Sequence, residues 1–159
     1  MLLNLIHRIR QHLADLPTFQ ALAGGLAASE AIERVLVFGD ARPTTGWTAY
    51  IVFYPTTDFA LPARISPGLG VNAFSYSQSA IFVIVIKTDD HAAESAVAAI
   101  NAAGAIVEEF LGMPPANGLN ITGFEQIRPP NIGPDDNPVA ILLDDQPGYQ
   151  FAFQVHSAR

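Results

Sequence analysis

The segment Ala80-Ile81-Phe82-Val83-Ile84-Val85-Ile86 decides the fold class of this chain. Its seven consecutive apolar residues, five of them β-branched, predict a strand that is buried on both faces of a sheet. From about residue 91 to 111 the period changes, and apolar residues recur every three or four positions, as on one face of a helix. That predicted face comprises Ala93, Ala96, Val97, Ile100, Ala103, Val107, Phe110 and Leu111. A central strand followed by a long helix that packs across its sheet predicts an α/β layer.

Length and composition indicate one domain, residues 1–159. A chain of 159 residues is long enough to bury about two-thirds of its unfolded surface. Half of the residues are hydrophobic and only 14% are charged, which indicates a well-filled core rather than a disordered chain. The chain has no cysteine, which excludes a disulfide scaffold and a thiolate metal site and fits a reducing compartment.

The net charge limits the partners that we expect. Fifteen acidic against eight basic residues give −7, which repels a phosphate backbone and disfavours sequence-specific nucleic-acid binding. The same repulsion is compatible with DNA that passes by without sticking. Arg8 and Arg10 interrupt the amino-terminal apolar run, so we expect no signal peptide. Since no uninterrupted run of about 18 apolar residues occurs, we expect no membrane span.

The remaining patterns predict an α+β fold with a mixed, mostly antiparallel sheet, in the order α-α-β-β-α-β-β-β. In the first predicted helix, residues 2–15, the apolar stripe is Leu2, Leu5, Ile6, Ile9 and Leu13, with His12 largely off it. Proline disfavours helix in the residue before it, so Leu16-Pro17 ends this helix. The other predicted elements are a helix at about 26–34 and strands at 35–38, 47–54, 74–86, 118–127, 139–143 and 150–156.

A long connection from about residue 56 to 72 is interrupted by prolines and glycines. It is longer than most connections in a compact domain. It contains the isolated basic residue Arg64 and leads into the aromatic residues Phe74 and Tyr76. Aromatic residues and arginine are common anchors of protein interfaces. We therefore predict an arm or hairpin at about residues 56–76 that contacts a neighbouring subunit, the alternative being a surface loop without such a role.

Acidic doublets are the most conspicuous polar feature. Adjacent carboxylates point in different directions on a helix or strand, which favours structural or solvation roles over a metal site. The doublets are Asp89-Asp90, Glu108-Glu109, Asp135-Asp136 and Asp144-Asp145. Asp89-Asp90 suits the N-terminus of the long helix, whereas Glu108-Glu109 opposes the dipole at its C-terminus. For Glu108-Glu109 we favour solvent exposure, with a basic group of a partner as the alternative.

Nothing in the sequence marks a catalytic centre. The four histidines are scattered, no HExxH or GxSxG motif occurs, and Gly68-Leu69-Gly70 lacks the flanking pattern of a phosphate loop. We therefore expect no catalytic residue, no metal site, no cofactor and no enzyme activity. A small-ligand or metal-binding α/β enzyme that uses the acidic turns and His91 remains an alternative.

The layout of the whole chain carries a resemblance. An amino-terminal helix precedes the strand Thr48-Ala49-Tyr50-Ile51-Val52-Phe53-Tyr54-Pro55, and a long hairpin arm leads to the glutamine-marked strand Ser77-Gln78-Ser79-Ala80-Ile81-Phe82-Val83-Ile84. An alanine-rich helix then closes on Phe110-Leu111-Gly112-Met113-Pro114, and the chain finishes in the aromatic strand Tyr149-Gln150-Phe151-Ala152-Phe153. In this order and spacing, residues 2–156 resemble the tail terminator (tail completion, minor tail protein U-like) family of long-tailed bacteriophages.

The resemblance implies a structural protein of the virion tail, assembled in the cytoplasm of the host bacterium. Such proteins form a ring, typically a hexamer, on the last ring of the tail tube, stop its polymerisation and present a surface to the head-completion or neck protein. DNA passes through the lumen without specific binding, and no membrane is involved. A charge of −7 per subunit sums to about −42 in a six-membered ring. The turn residues expected to face the lumen or a partner are Asp135, Asp136, Asp144 and Asp145. A tail-tube or neck adaptor subunit is the alternative within the same class.

Overall fold

The computed structural model of the chain describes residues 2–55, 63–67, 74–88, 93–112, 125–128, 139–143 and 146–158. Its α-helices are α1 (Leu2–Ala14), α2 (Pro17–Leu22), α3 (Ala28–Ala31) and α4 (Ala93–Gly112), with a 3₁₀ turn at Ile32–Arg34. Its strands are β1 (Val35–Val37), β2 (Ala49–Pro55), β3 (Ala63–Pro67), β4 (Phe74–Ile86), β5 (Glu125–Arg128), β6 (Val139–Leu143) and β7 (Gln146–Ala158). The predicted α+β class is confirmed.

The structure contains two elements that are not among the predicted helices and strands. The predicted order also has two strands before the long helix, whereas the structure has four there. Helix α2 begins at Pro17, directly where proline was expected to end the preceding helix. Proline is favourable in the first helical position, because its missing N–H has no partner there in any case. Strand β3 lies inside the stretch that was expected to be a connection. The predicted helix at 26–34 is shorter than expected, since only α3 and the 3₁₀ turn form there.

The longest ladder of the sheet joins β4 and β7. They pair antiparallel from Ser75 opposite Ala158 to Val85 opposite Gly148. Strand β2 lies on the other side of β4 and is antiparallel to it, and β1 is parallel to β2. Strand β3 pairs with β4, and β5 and β6 pair with β7, all antiparallel. Among the described strands the sheet is therefore mixed and mostly antiparallel.

Because β4 has 13 residues, against a usual strand length of about 5–6, its partners change along its length. Residues Ala80–Ile86 pair with β2, and the stretch of β7 opposite them also pairs with β6. We call this part the body end of the sheet. Residues Phe74–Ser77 pair with β3, and the opposite stretch of β7 pairs with β5. We call that part the distal end.

The body end of β4 is buried on both faces, as its sequence predicts. Phe82, Ile84 and Ile86 belong to the main core on the face that the helices cover. Val83 and Val85 belong to a second buried cluster on the opposite face. The alternation of a pleated strand thus divides six of the seven apolar residues between two cores, and Ile81 is half-buried.

Phenylalanine rings connect the sheet to α4 in the main core. The ring of Phe110 lies 5.1 Å from that of Phe82 and 5.0 Å from that of Phe153, in edge-to-face orientation at both contacts. Phe151 and Phe153 lie on the same face of β7, with centroids 6.5 Å apart. Each such aromatic pair contributes about 0.5–1.5 kcal/mol beyond its buried area. The predicted buried face of the last strand is confirmed for these two residues.

The predicted apolar face of α4 is partly wrong. Ala103, Val107 and Phe110 are buried as expected, together with Ala99 and Ile106, which the prediction did not include. The other predicted positions at the start of the helix, Ala93, Ala96, Val97 and Ile100, are exposed. The two stripes lie about a quarter turn apart on a helix that is apolar around much of its circumference, so periodicity alone could not select the buried one.

Helix α4 also bears on the expectation that no membrane span occurs. It has 20 residues, and an 18-residue window reaches a mean hydropathy of 1.3, enough by length and composition to cross a membrane. The expectation relied on an uninterrupted apolar run, whereas this window tolerates single polar residues. The criterion is weak evidence, because the core helix of a soluble protein also meets it. The window is 28% buried, since Phe110 packs against the sheet while the start of the helix is exposed.

Glu109, near the C-terminus of α4, caps the N-terminus of α2. Its carboxylate accepts a hydrogen bond from the backbone N–H of Thr18, at 3.0 Å, and another from the Thr18 hydroxyl. Leu16, in the N-cap position of α2, offers no side-chain acceptor. Glu109 therefore supplies from another helix the acceptor that the N-terminus of α2 needs. The expectation of solvent exposure holds for Glu108 and is wrong for Glu109, which is half-buried.

The pair Glu108 and Glu109 provides a matched test of this cap. We expect Glu109→Ala to lower the free energy of unfolding by about 0.5–2 kcal/mol, the range for losing a helix cap. The control Glu108→Ala removes the same charge from an exposed position and should change it by less than about 0.5 kcal/mol. Urea unfolding of both variants measures the difference, and equal effects would contradict the cap.

His12 lies in the main core, whereas the sequence pattern placed it off the buried stripe. It is fully buried and, from Nε2, donates a hydrogen bond of 3.1 Å to the carbonyl oxygen of Phe110. His12 follows Leu5 by seven residues, two helical turns, so it borders the same apolar stripe. Among the described groups, its buried Nδ1 has no hydrogen-bond partner. Burial lowers the pKa of His12, although the Phe110 carbonyl and Asp15 favour its protonated form.

A lowered pKa makes stability depend on pH. The unfolded chain takes up a proton at His12 near pH 6.5, whereas the folded chain takes it up only at lower pH. The stability that neutral His12 contributes is therefore fully present above about pH 6.5 and is lost as the pH falls below it. We expect this site to add a slope of up to about 1.4 kcal/mol per pH unit below about pH 6.5.

The variant His12→Gln keeps a donor but does not titrate, so its unfolding free energy should lose that part of the slope between about pH 7 and pH 5. His7→Gln, an exposed control on the same helix, should keep it. If the unfolding free energies of His12→Gln and the wild type change in parallel with pH, the pKa of His12 is the same in the folded and unfolded chains. That result would contradict the lowered pKa.

Candidate functional site

The second face of the sheet carries an aromatic cluster at the edge formed by β1 and β2. Its fully or nearly buried members are Leu36, Tyr50, Val83 and Val85, and Trp47, Val52 and Tyr54 pack against them in part. Strand alternation explains the set, since residues 50, 52 and 54 share one face of β2. The described members all come from strands or from the loop that precedes β2, whereas the helical core residues lie on the first face.

Phe38 extends this cluster into solvent. Its side chain is 72% exposed, the highest exposure among the large hydrophobic residues that the structure describes. Its backbone is nevertheless fixed, because its N–H donates to the carbonyl oxygen of Phe53 in β2, at 2.9 Å. Its ring lies 5.3 Å from that of Tyr54. Gly39 follows with φ +94°, a conformation that residues with a Cβ rarely adopt, and so turns the chain away just after Phe38.

An open cavity of about 430 Å³ lies beside Phe38. Its walls are β1, most of the loop that follows as far as Thr44, and alternate residues of β2 from Tyr50 to Tyr54. We call it the β1–β2 groove. Its volume is within the range of small-molecule sites.

An ion-pair cluster forms the polar rim of the groove. Arg42 donates from Nε and Nη2 to the carboxylate of Asp40, at 2.9 and 2.7 Å, and the backbone N–H of Arg42 donates to the same group. The third guanidinium nitrogen, Nη1, donates to Glu33. These bonds hold the pKa of Asp40 below its ordinary value, since they favour the charged carboxylate. The same partners raise the pKa of Arg42.

Two further cations lie on aromatic rings of the second-face cluster. The guanidinium carbon of Arg34 is 5.5 Å from the centre of the Trp47 ring, and the ammonium nitrogen of Lys87 is 5.5 Å from that of Tyr50. Lys87 also donates to the carbonyl oxygen of Thr44, at 2.6 Å. Cation–π contacts of this kind contribute about 0.5–1 kcal/mol at exposed sites. The walls of the groove therefore include three aromatic side chains, Phe38, Tyr50 and Tyr54, and its rim carries charges of both signs.

The outer edge of β1 is occupied by hydrogen bonds from within the chain. Arg10 donates from Nε to the carbonyl oxygen of Val35, at 2.8 Å, and from Nη2 to that of Ile32. The N–H of Asp40 donates to the carbonyl oxygen of Val37, at 2.8 Å. Edge strands with free carbonyls are templates for adding another strand, and these bonds block that use of β1.

The predicted arm residues come together at the distal end of the sheet. Arg64 in β3 lies opposite Tyr76 in β4, and Phe74 lies opposite Pro67, with an irregularity in β3 between Arg64 and Ser66. Strands β3 and β4 are antiparallel, and β7 pairs with β4 on its other side. The role of these residues in a subunit interface stays a prediction.

The other candidate residues have different outcomes. Asp135, Asp136, Asp144 and Asp145 lie outside the described residues, as do Asp89, Asp90 and His91. Within the described ranges, no group of three or more His, Asp or Glu side chains is placed to hold a metal ion.

Sequence reasoning missed the groove. A local signal existed, since a large aromatic residue stands directly before a Gly-Asp turn at Phe38-Gly39-Asp40, and Asp40 is two residues from Arg42. The partners of Phe38 and Arg42, by contrast, come from Tyr54 and Glu33, and such contacts cannot be read from local sequence.

Comparison with known proteins found no matching family model, no matching curated protein and no matching solved structure.

The pKa of Asp40 tests the geometry of the rim. Carboxyl carbon NMR should show Asp40 titrating below its ordinary range, and Arg42→Gln should raise the pKa towards that range by removing the charge and most of the hydrogen bonds. Arg34→Gln, which removes a nearby cation that lies on Trp47, is the control and should leave the pKa of Asp40 nearly unchanged. An unchanged value in Arg42→Gln would contradict the described pairing.

Proposed function

We propose that this chain is a tail terminator subunit of a long-tailed bacteriophage, which forms a ring on the tail tube and stops its polymerisation. The observation that carries the proposal is the division of one sheet into a body end and a distal end along β4 and β7. A ring needs unlike surfaces on one subunit, so that each copy contacts the next in the same way until the circle closes. A helix-packed body and a separate sheet end that contains Arg64, Phe74 and Tyr76 provide two such surfaces.

The order of elements supports the same proposal. The amino-terminal helix α1, the aromatic strand β2, the β3–β4 pair and the long helix α4 follow one another as the resemblance implies. Strands β6 and β7 close the chain as an antiparallel pair. The net charge of −7 suits a ring through which DNA passes, because repulsion from an acidic wall prevents sticking. The role is structural, with no catalytic residue or cofactor.

The proposal names three partners. They are further copies of the chain in a ring, typically six, the tail tube protein below it and the head-completion or neck protein above it. The site of action is the virion tail, assembled in the cytoplasm of the host bacterium. A tail-tube or neck adaptor subunit shares most of these properties and differs in copy number and in what its loss does to tail length.

Loss of the protein tests the proposal. A phage in which this gene is interrupted should produce tails of irregular, often excessive length that do not join heads, because nothing stops the tube. Electron microscopy of the lysate measures tail length and attachment. A plasmid copy of the wild type should restore joined virions, and Phe74→Ala or Arg64→Ala should restore fewer.

Normal joined virions without the protein would refute the terminator role. Complete absence of tails, with dozens of copies of the chain in each wild-type virion, would instead identify a tube subunit.

A further inference from the structure

We propose that protonation of His12 separates α1 from the C-terminal turn of α4 while the body end of the sheet stays folded. The contact between the two helices is thus an acid-sensitive switch within the helical layer. The inference concerns a local opening, whereas the pH dependence described above concerns unfolding of the whole chain. It does not depend on the proposed function.

The hydrogen bonding of His12 is the first observation. Nε2 donates to the carbonyl oxygen of Phe110, at 3.1 Å, so the proton of the neutral ring lies on Nε2 and Nδ1 carries a lone pair. Nδ1 is buried and, among the described groups, has no hydrogen-bond partner. A proton added there makes a buried N–H without an acceptor, on a ring that has also gained a charge. Both changes are unfavourable away from water, so the closed contact fits only the neutral ring.

The Phe110 carbonyl is the second observation, because it depends on the same contact. It is among the last four carbonyls of α4, which ends at Gly112, and such carbonyls have no partner within their own helix. The rings of His12 and Phe110 also pack together, with centroids 5.0 Å apart. A single buried contact therefore joins the C-terminal half of α1 to the last turn of α4.

The charged groups around α1 do not supply the missing acceptor. Asp15 favours the protonated ring, but its carboxylate accepts a hydrogen bond from Gln11, at 3.0 Å, and burial outweighs its effect on the pKa of His12. Glu109 on α4 is bound to Thr18. The other titratable residues of α1 and of the elements around it are basic residues, exposed carboxylates or a buried phenol, and none is a partner of Nδ1: His7, Arg8, Arg10, Arg34, Glu30, Glu33, Glu108 and Tyr149.

Separation of α1 brings His12 into water without breaking any strand pairing among the described elements, because α1 contributes no strand to the sheet. Apart from the His12 contact, α1 is held by the apolar packing of residues such as Ile9 and Leu13 and by the hydrogen bonds of Arg10. The body end of the sheet is held by its own ladders and by the ring contact of Phe82 with Phe153. A local opening of this kind needs less free energy than unfolding of the whole chain.

Hydrogen exchange of single backbone amides, measured by NMR from pH 7.5 to 5.5 and corrected for the intrinsic exchange rate, tests the inference. A solvated histidine titrates near pH 6.5, so acid should favour the separated form by up to about tenfold over this range. A separated helix of 13 residues is marginal in water, so its amides exchange.

Protection of the amides of residues 9–14 should therefore fall by up to about tenfold as the pH falls. At pH 5.5 it should also be at least about tenfold lower than that of residues 80–86, which exchange only when the sheet opens. The range stays above the ordinary pKa values of aspartate and glutamate, so these groups contribute little.

Two variants without a titrating ring should remove the pH dependence. His12→Gln keeps a donor for the Phe110 carbonyl, and His12→Leu keeps apolar packing without that bond. Protection of α1 in each should change by less than about twofold between pH 7.5 and 5.5. His7→Gln, the exposed control on the same helix, should behave as the wild type. Circular dichroism shows which variants fold, and one folded variant together with the wild type completes the test.

Three results would overturn the inference. Wild-type protection of α1 that does not change with pH would show that His12 titrates alike in the closed and separated forms. Equal protection of α1 and residues 80–86 at pH 5.5 would show that α1 opens only with the whole chain. The same fall in a folded His12→Gln or His12→Leu chain would show that another group responds to acid. None of these results bears on ring formation or tail length.

Discussion

The burial of residues 80–86 on both faces of the sheet is the constraint on which the rest of the structure depends. Six of its seven residues belong to one of two buried clusters, and Ile81 is half-buried. Helices α1, α2 and α4 cover one face, while side chains of β1, β2 and the loop before β2 pack around Val83 and Val85 on the other. The strand continues to Phe74 in the other direction, still paired with β7. One strand thus anchors the hydrophobic core and carries the sheet beyond it.

The helical layer is held by polar contacts between distant parts of the chain. Glu109 caps α2 from a position 91 residues away, and His12 donates to the carbonyl of Phe110 from 98 residues away. Arg10 satisfies carbonyls at the 3₁₀ turn and in β1. These contacts supply partners for backbone groups at the ends of helices and in β1. They also join α1, α2 and α4 into one layer over the sheet.

A feature of this structure could be predicted from the sequence when the interacting residues are close together in the chain. The period of β4, the aromatic alternation of Phe151 and Phe153 and the first helix are local patterns, and each was found where it was expected. The buried face of α4 was not, because Val97 and Ile106 are equally apolar and only the position of the sheet distinguishes them. Glu109 and His12 were misjudged for the same reason, since their partners are remote in sequence.

The candidate sites show the same difference between local patterns and contacts that are remote in sequence. Arg64 lies opposite Tyr76 in the described strands, and the arm at about residues 56–76 stays a prediction. The β1–β2 groove could not be predicted from the sequence, because its walls come from two strands and a loop, and Arg42 at its rim pairs with Glu33 as well as with the neighbouring Asp40.

The central claim is that this polypeptide acts by shape and self-association. Negative-stain electron microscopy of the purified protein tests it most directly. We expect closed rings of uniform diameter with an open centre, built from copies in one repeated orientation. Separate globular particles at every concentration, with a small molecule bound among converging polar side chains, would contradict it.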